Sequence, residues 1–149
     1  MAVTDLFARR ATLSRSLRLL REFRYEQSDP DRFYGALAAD TAAMVTDLWR
    51  TATGTEPTGR TVLDVGGGPG YFAAAFDAAG LTYIGVEPDP DEMHAGPRTA
   101  GAAAGYVRAS GLALPFADAS VDICLSSNVA EHVAQPWRLG REMMRVTRP

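Results

Sequence analysis

The sequence predicts an α/β domain built on a doubly wound parallel sheet and preceded by a helical cap. Three observations carry this reading. From Arg60 onward, short apolar runs alternate with helical or Gly/Pro-broken segments, the pattern of a parallel sheet with crossover helices. The run Thr61-Val62-Leu63-Asp64-Val65 leads straight into Gly66-Gly67-Gly68-Pro69-Gly70. Ahead of these, the first 55 residues read as helix, which divides the chain into a cap over 1–55 and a core over 56–149.

In the cap, Leu6, Leu13, Leu17 and Leu20 recur at spacings of seven, four and three. Those spacings stack them on one helical face, with Arg15, Arg18 and Arg21 on the other. This predicts a helix packed by its leucines with a solvated arginine face. Between Met1 and Tyr25 six arginines meet Asp5 and Glu22, a local +4 on a chain whose net charge is -3. A basic amphipathic helix of this kind is a candidate for peripheral contact with an anionic membrane. A second helix starts at Asp29-Pro30, with Asp29 as N-cap and Pro30 in the first turn, and stops at Gly54. Phe33, Leu37, Met44, Val45, Leu48 and Trp49 form its apolar stripe, and Tyr25, Phe33 and Tyr34 are aromatic candidates for covering a ligand.

In the core, the expected strands are Thr61 to Val65, Thr82 to Val86, Gly105 to Arg108 and Val121 to Leu125. Glycines belong where a backbone turns sharply and approaches a ligand, and a helix over Tyr71 to Ala79 follows the loop. The spacing is G-x-G-x-G, because the position where a dinucleotide fingerprint needs its third glycine is Tyr71. The second strand ends in Glu87, 23 residues after Asp64, where a carboxylate can accept both hydroxyls of a ribose. Asp89 and Glu92 are expected to form a capping box for the next helix. The Gly/Ala-rich run from Ala95 to Gly105 reads as a flexible connection.

Composition narrows the function. A pI near 5.3 gives no general reason to expect nucleic acid as a partner. No apolar run reaches membrane-span length, and the N-terminus lacks a signal-peptide core, so the cytoplasm is expected. The single cysteine, Cys124, excludes an internal disulfide, and no metal site is expected.

Five blocks in order resemble the class I S-adenosylmethionine-dependent methyltransferases, specifically the small-molecule branch called methyltransferase type 11. They are Val62 to Gly70, Gly85-Val86-Glu87-Pro88, Leu114 to Asp122, Asn128-Val129-Ala130-Glu131-His132-Val133, and Glu142 to Pro149. The resemblance covers about residues 60 to 149. It implies a Rossmann-like core that binds S-adenosyl-L-methionine and passes its methyl group to a small-molecule or lipid-like acceptor. Gly66, Gly68 and Gly70 would lie against the methionine end of the cofactor, with Gly67 in the same cofactor-binding loop and Asn128 beside that end. Asp64 would order the loop, Glu87 would grip the ribose, with Pro88 next to it also counted in the cofactor site, and the Ser110 hydroxyl and the backbone N–H of Gly111 or Leu112 would meet the adenine. Ser110 departs from the aspartate common in the family, which implies weaker base recognition. At Gly67 relatives carry cysteine or another small residue, a difference expected to change little. His132, after the fourth strand, is the local candidate for a proton acceptor.

The family pattern continues beyond Arg148-Pro149 through a Pro-Gly turn into further strands. The chain is therefore expected to be truncated, inactive in transfer when isolated, and open to pairing with a second copy along its apolar fourth strand. Two other classes compete with the methyltransferase reading. One is a nicotinamide dinucleotide-binding domain, and the other is a non-catalytic scaffold that keeps the fold.

Overall fold

The computed structural model describes residues 13–94 and 105–149. Leu6 and the 95–104 part of the Gly/Ala-rich run lie outside the described residues. The chain divides into two compact units, residues 1–57 and 58–149.

In the first unit, helix α1 spans Leu13–Phe23 and helix α2 spans Pro30–Thr53. The Asp29 side chain accepts the Arg32 N–H at the start of α2, and Gly54 ends it in the left-handed conformation with φ 71°. Glu22 takes a bidentate bond from Arg32, at 2.7 and 3.2 Å, which ties the two helices. The faces differ from the sequence expectation. Leu17 and Leu20 are exposed rather than buried, while Arg18 and Arg21 are exposed as expected, Arg18 setting its guanidinium on the buried Asp40 of α2. The buried face of α2 includes Ala38, Asp40, Thr41, Ala42 and Thr46, rather than the full large-residue stripe, and Met44 is exposed. A buried carboxylate needs a countercharge, and Arg18 supplies it. Tyr25 lies under the Arg32 guanidinium, and Phe33 meets Phe23 and Tyr34 edge-on, so these aromatics make contacts within this unit.

The second unit holds a four-stranded, all-parallel sheet in the order β3-β2-β1-β4. The strands are β1 Thr61–Val65, β2 Thr82–Glu87, β3 Gly105–Arg108 and β4 Ile123–Leu125. Helices α3 Ala73–Ala78, α4 Pro90–His94 and α5 Pro136–Val146 accompany it, with a 3-10 turn at Ala130–His132. Strand residues alternate between faces. On one face Leu63, Val65, Val86, Leu114 and Val121 form a core with Leu139 and Val146 of α5. On the other, Phe76 of α3 stacks on Tyr83, with ring centroids 6.3 Å apart. Helices therefore cover both faces of the sheet.

Two expected features change. Strand β4 begins at Ile123, because Val121 instead bridges Thr147 and accepts the Arg148 N–H, so the chain's last residues pair with the start of that edge. The capping box at α4 is replaced. Asp89 caps the Asp91 N–H at 2.8 Å, but its own N–H goes to Glu87 rather than to Glu92. Helix α3 is shorter than expected, since residues 71 and 72 form a turn.

Candidate functional site

After β3 the chain returns to lay β4 on the far side of β1, so the strand order reverses between β1 and β4. Open α/β sheets bind ligands outside the carboxyl ends of their strands at such a reversal. Two loops meet there. The glycine loop leaves β1, and residues 126–129 leave β4, joined by the Ser126 hydroxyl donating to the Val65 carbonyl at 2.9 Å.

The glycine loop is held from below by backbone. The Gly66 and Gly67 N–H groups both donate to the Val86 carbonyl, at 2.7 and 3.1 Å. Close neighbours exclude side chains along it. A Cβ on Gly66, where φ is +81°, would stand 2.3 Å from a Val129 methyl. One on Gly70, at φ +89°, would stand 1.7 Å from the Tyr106 hydroxyl. At Gly67 the obstacle is the Tyr83 hydroxyl, 2.8 Å away. The loop is thus a cradle kept free of side chains at Gly66, Gly67 and Gly70, and Gly67 is more constrained than its sequence suggests.

Two carboxylates serve this loop. Glu87 accepts the Gly68 N–H and the Asp89 N–H, each at 3.1 Å, so β2 reaches across to hold the loop. A carboxylate offers about four lone-pair sites, and these two bonds leave others for a ligand hydroxyl. Asp64 is 2% exposed and accepts the Tyr83 hydroxyl at 2.8 Å. Burial pushes its carboxyl up to about 6; the Tyr83 bond opposes the rise and the Glu87 charge adds to it. Burial, followed by the charge of Asp64, raises the Tyr83 phenol far above its ordinary range.

Beside the loop opens a cavity of about 280 Å³, at the small end for a small-molecule site. Of the sequence-predicted residues, Gly66, Pro88, Ser110, Gly111, Leu112 and His132 line it. The remainder of its wall is Val65, Val129, Val133, Ala134 and Leu139, an apolar surface. Asp64, Gly67, Gly68, Gly70, Glu87 and Asn128 do not line the cavity, and the first five belong to the cradle and its supports. The Ser110 hydroxyl accepts the Leu112 N–H at 3.2 Å, so that N–H is already engaged within the loop. Asn128 is exposed in the left-handed region, φ 56°, and turns the chain so that the next residue, Val129, meets Gly66.

The wall is braced from α5. The Arg145 guanidinium donates to the Leu114 and Phe116 carbonyls at 3.0 and 2.9 Å, and to Asp118 and Glu142. Glu142 also accepts the Leu114 N–H at 2.8 Å. Arg145 and that N–H hold the Glu142 carboxyl down near 2. Sequence reasoning missed Val129, Tyr83, Tyr106 and this brace. For the tyrosines the available signal was strand register, which sets Asp64, Gly85 and Tyr106 on one rung.

His132 is exposed at the cavity, and its backbone N–H closes the 3-10 turn on the Val129 carbonyl. Cys124 is half-buried in β4, its thiol pushed up to about 11 by burial, which leaves it poorly nucleophilic. Among the described residues no three His, Cys, Asp or Glu side chains converge on a metal position, and no helix is long and apolar enough to cross a membrane.

A family model described as a methyltransferase domain matches residues 63–149. An uncharacterized methyltransferase of Mycobacterium marinum is 77% identical over 150 residues, which cover 100% of this chain and 59% of that protein. The chain thus spans about three fifths of the length of that curated relative. Among solved structures, an S-adenosylmethionine dependent methyltransferase from Mesorhizobium loti is 26% identical, with a TM-score of 0.53 over 64% of this chain and 45% of that one. A candidate S-adenosyl-L-methionine-dependent methyltransferase from Methanococcus maripaludis, 16% identical, shares the fold at a TM-score of 0.63 over 81% of this chain and 57% of that one.

Proposed function

Because the chain belongs to the methyltransferase domain family, we propose that its glycine loop, Glu87 and the adjoining cavity bind S-adenosyl-L-methionine for methyl transfer to a small-molecule or lipid-like acceptor. The observation that carries this reading is the cradle. Gly66, Gly67 and Gly70 are crowded against a Cβ by Val129, Tyr83 and Tyr106, and Glu87 is hydrogen-bonded into the same loop at Gly68. Such a surface admits close backbone contact and presents a carboxylate to a polyol, which fits an adenosyl group beside an apolar slot.

When bound, S-adenosyl-L-methionine supplies a methyl group made electrophilic by its sulfonium. The chain's residues then hold and shield. Glu87 accepts ribose hydroxyls with the lone pairs that Gly68 and Asp89 leave free. Val65, Leu112, Val129 and Leu139 exclude water from the base, and the Ser110 hydroxyl offers it a polar contact in place of a carboxylate. Among the cavity residues His132 is the titratable side chain, placed to accept a proton from an acceptor whose nucleophile carries one. Orientation and desolvation suffice for an acceptor that arrives deprotonated.

Calorimetric titration with S-adenosylhomocysteine and with NAD tests the reading. Micromolar affinity for the first and none for the second is expected. NAD binding without S-adenosylhomocysteine binding would replace it with the dinucleotide alternative.

A further inference from the structure

Under the glycine loop lies an aromatic floor that a cofactor cradle does not by itself require. Gly85 shares a rung with Asp64 and Tyr106, and a Cβ there would stand 2.6 Å from the Tyr106 ring. The missing side chain lets that ring lie across β2 and carry its hydroxyl to Gly70, where it is buried without a hydrogen-bond partner among the described residues. Tyr83 stands next to it, its ring between Phe76 at 6.3 Å and Tyr106 at 6.1 Å. At 2% exposure the Tyr83 side chain has no open direction in which to swing. Its hydroxyl meets Asp64 on the neighbouring strand and also closes the space at Gly67. One atom therefore links the strand that ends in Glu87, the strand that feeds the loop, and the loop itself.

We propose that Tyr83 is a positioning residue for the cofactor loop: its hydroxyl, donated to Asp64 and set against Gly67, fixes where the loop stands relative to Glu87. This rests on the S-adenosyl-L-methionine reading for its function, though the strut itself is a property of the ligand-free chain. It also assigns a reason to Gly67. A Cβ there would meet the Tyr83 hydroxyl first, at 2.8 Å, with the Asp64 carbonyl behind it at 3.3 Å, so loss of the hydroxyl relieves the tightest of the contacts.

A double-mutant cycle of Tyr83→Phe and Gly67→Ala tests this, read by amide hydrogen exchange of Gly66, Gly67, Gly68 and Gly70 and by S-adenosylhomocysteine affinity. Each single variant is expected to lower loop protection and affinity by about tenfold, the scale of one hydrogen bond to a charged group. The double variant is expected to lie close to Tyr83→Phe and well short of the product of the two losses, because removing the hydroxyl relieves the tightest contact on the new methyl and leaves only the Asp64 oxygens at 3.3 and 3.4 Å. If Gly67→Ala fails to fold, recovery of folding in the double variant is the same rescue. Additive losses of about a hundredfold, unchanged loop exchange in Tyr83→Phe, or failure of both Gly67→Ala proteins to fold would overturn the proposal. Absence of S-adenosylhomocysteine binding by the unmutated protein would instead sink the cofactor reading, and the exchange data would still decide the strut.

Discussion

Replacing Asp64 by asparagine should make the protein more stable and its cofactor site worse. Asp64 is 2% exposed, and burial lifts its carboxyl from 3.8 to about 6. A group whose folded pKa lies above its unfolded value holds its proton more tightly when folded. Folding is then favoured at low pH and loses free energy as pH rises across that interval. At about 1.4 kcal/mol per pKa unit, ionised Asp64 costs about 3 kcal/mol at neutral pH. Asparagine keeps the shape and an oxygen that accepts the Tyr83 hydroxyl, but carries no charge to bury. Urea unfolding followed by circular dichroism at closely spaced pH values should show Asp64→Asn about 3 kcal/mol more stable at pH 7, with the difference vanishing below about pH 4. Loop order and cofactor affinity should fall in the same variant, since the ionised form is the better partner for Tyr83. A variant no more stable than the parent at pH 7, or a stability difference flat between pH 4 and 6, would refute the argument.

Glu87→Ala should weaken S-adenosylhomocysteine binding at least about tenfold, since charge-assisted bonds to the ribose are worth about 1.5 to 3 kcal/mol each; calorimetry reads this directly. Ser110→Asp should tighten the same binding several-fold by restoring a carboxylate at the adenine end, and an unchanged affinity would place the base elsewhere. Glu142 is held near 2, below its unfolded value of 4.5, so it contributes stability above pH 4.5 that is lost as pH falls toward 2. Glu142→Gln should flatten that acid limb in a pH series of thermal melts.

Local chemistry made much of the architecture readable. Asp29, Pro30 and Gly54 mark the ends of α2 by capping alone, and Asp64, the glycines and Glu87 announce a strand, a loop and a second strand through their spacing. What escaped depends on contacts between elements. Leucines at helical spacing suggest a buried face on α1, yet α1 ties to α2 through the exposed Arg18 reaching the buried Asp40, and Leu17 and Leu20 stay exposed. Asp89 and Glu92 have the spacing of a capping box, but Glu87 lies nearer in space and takes the N–H. Tyr83 and Tyr106 look like ordinary strand aromatics until register sets them beside Asp64 and Gly85, and Gly67 looks replaceable until the Tyr83 hydroxyl is found against it.

On the proposed function, the glycine loop, Glu87 and the cavity beside them form one cofactor site. Amide chemical shifts followed during titration with S-adenosylhomocysteine test this most directly. Saturable shifts are expected to concentrate at the amides of residues 66–68, 70, 87, 110–112 and 128–133. Saturable binding that leaves those amides unmoved and perturbs others would contradict it.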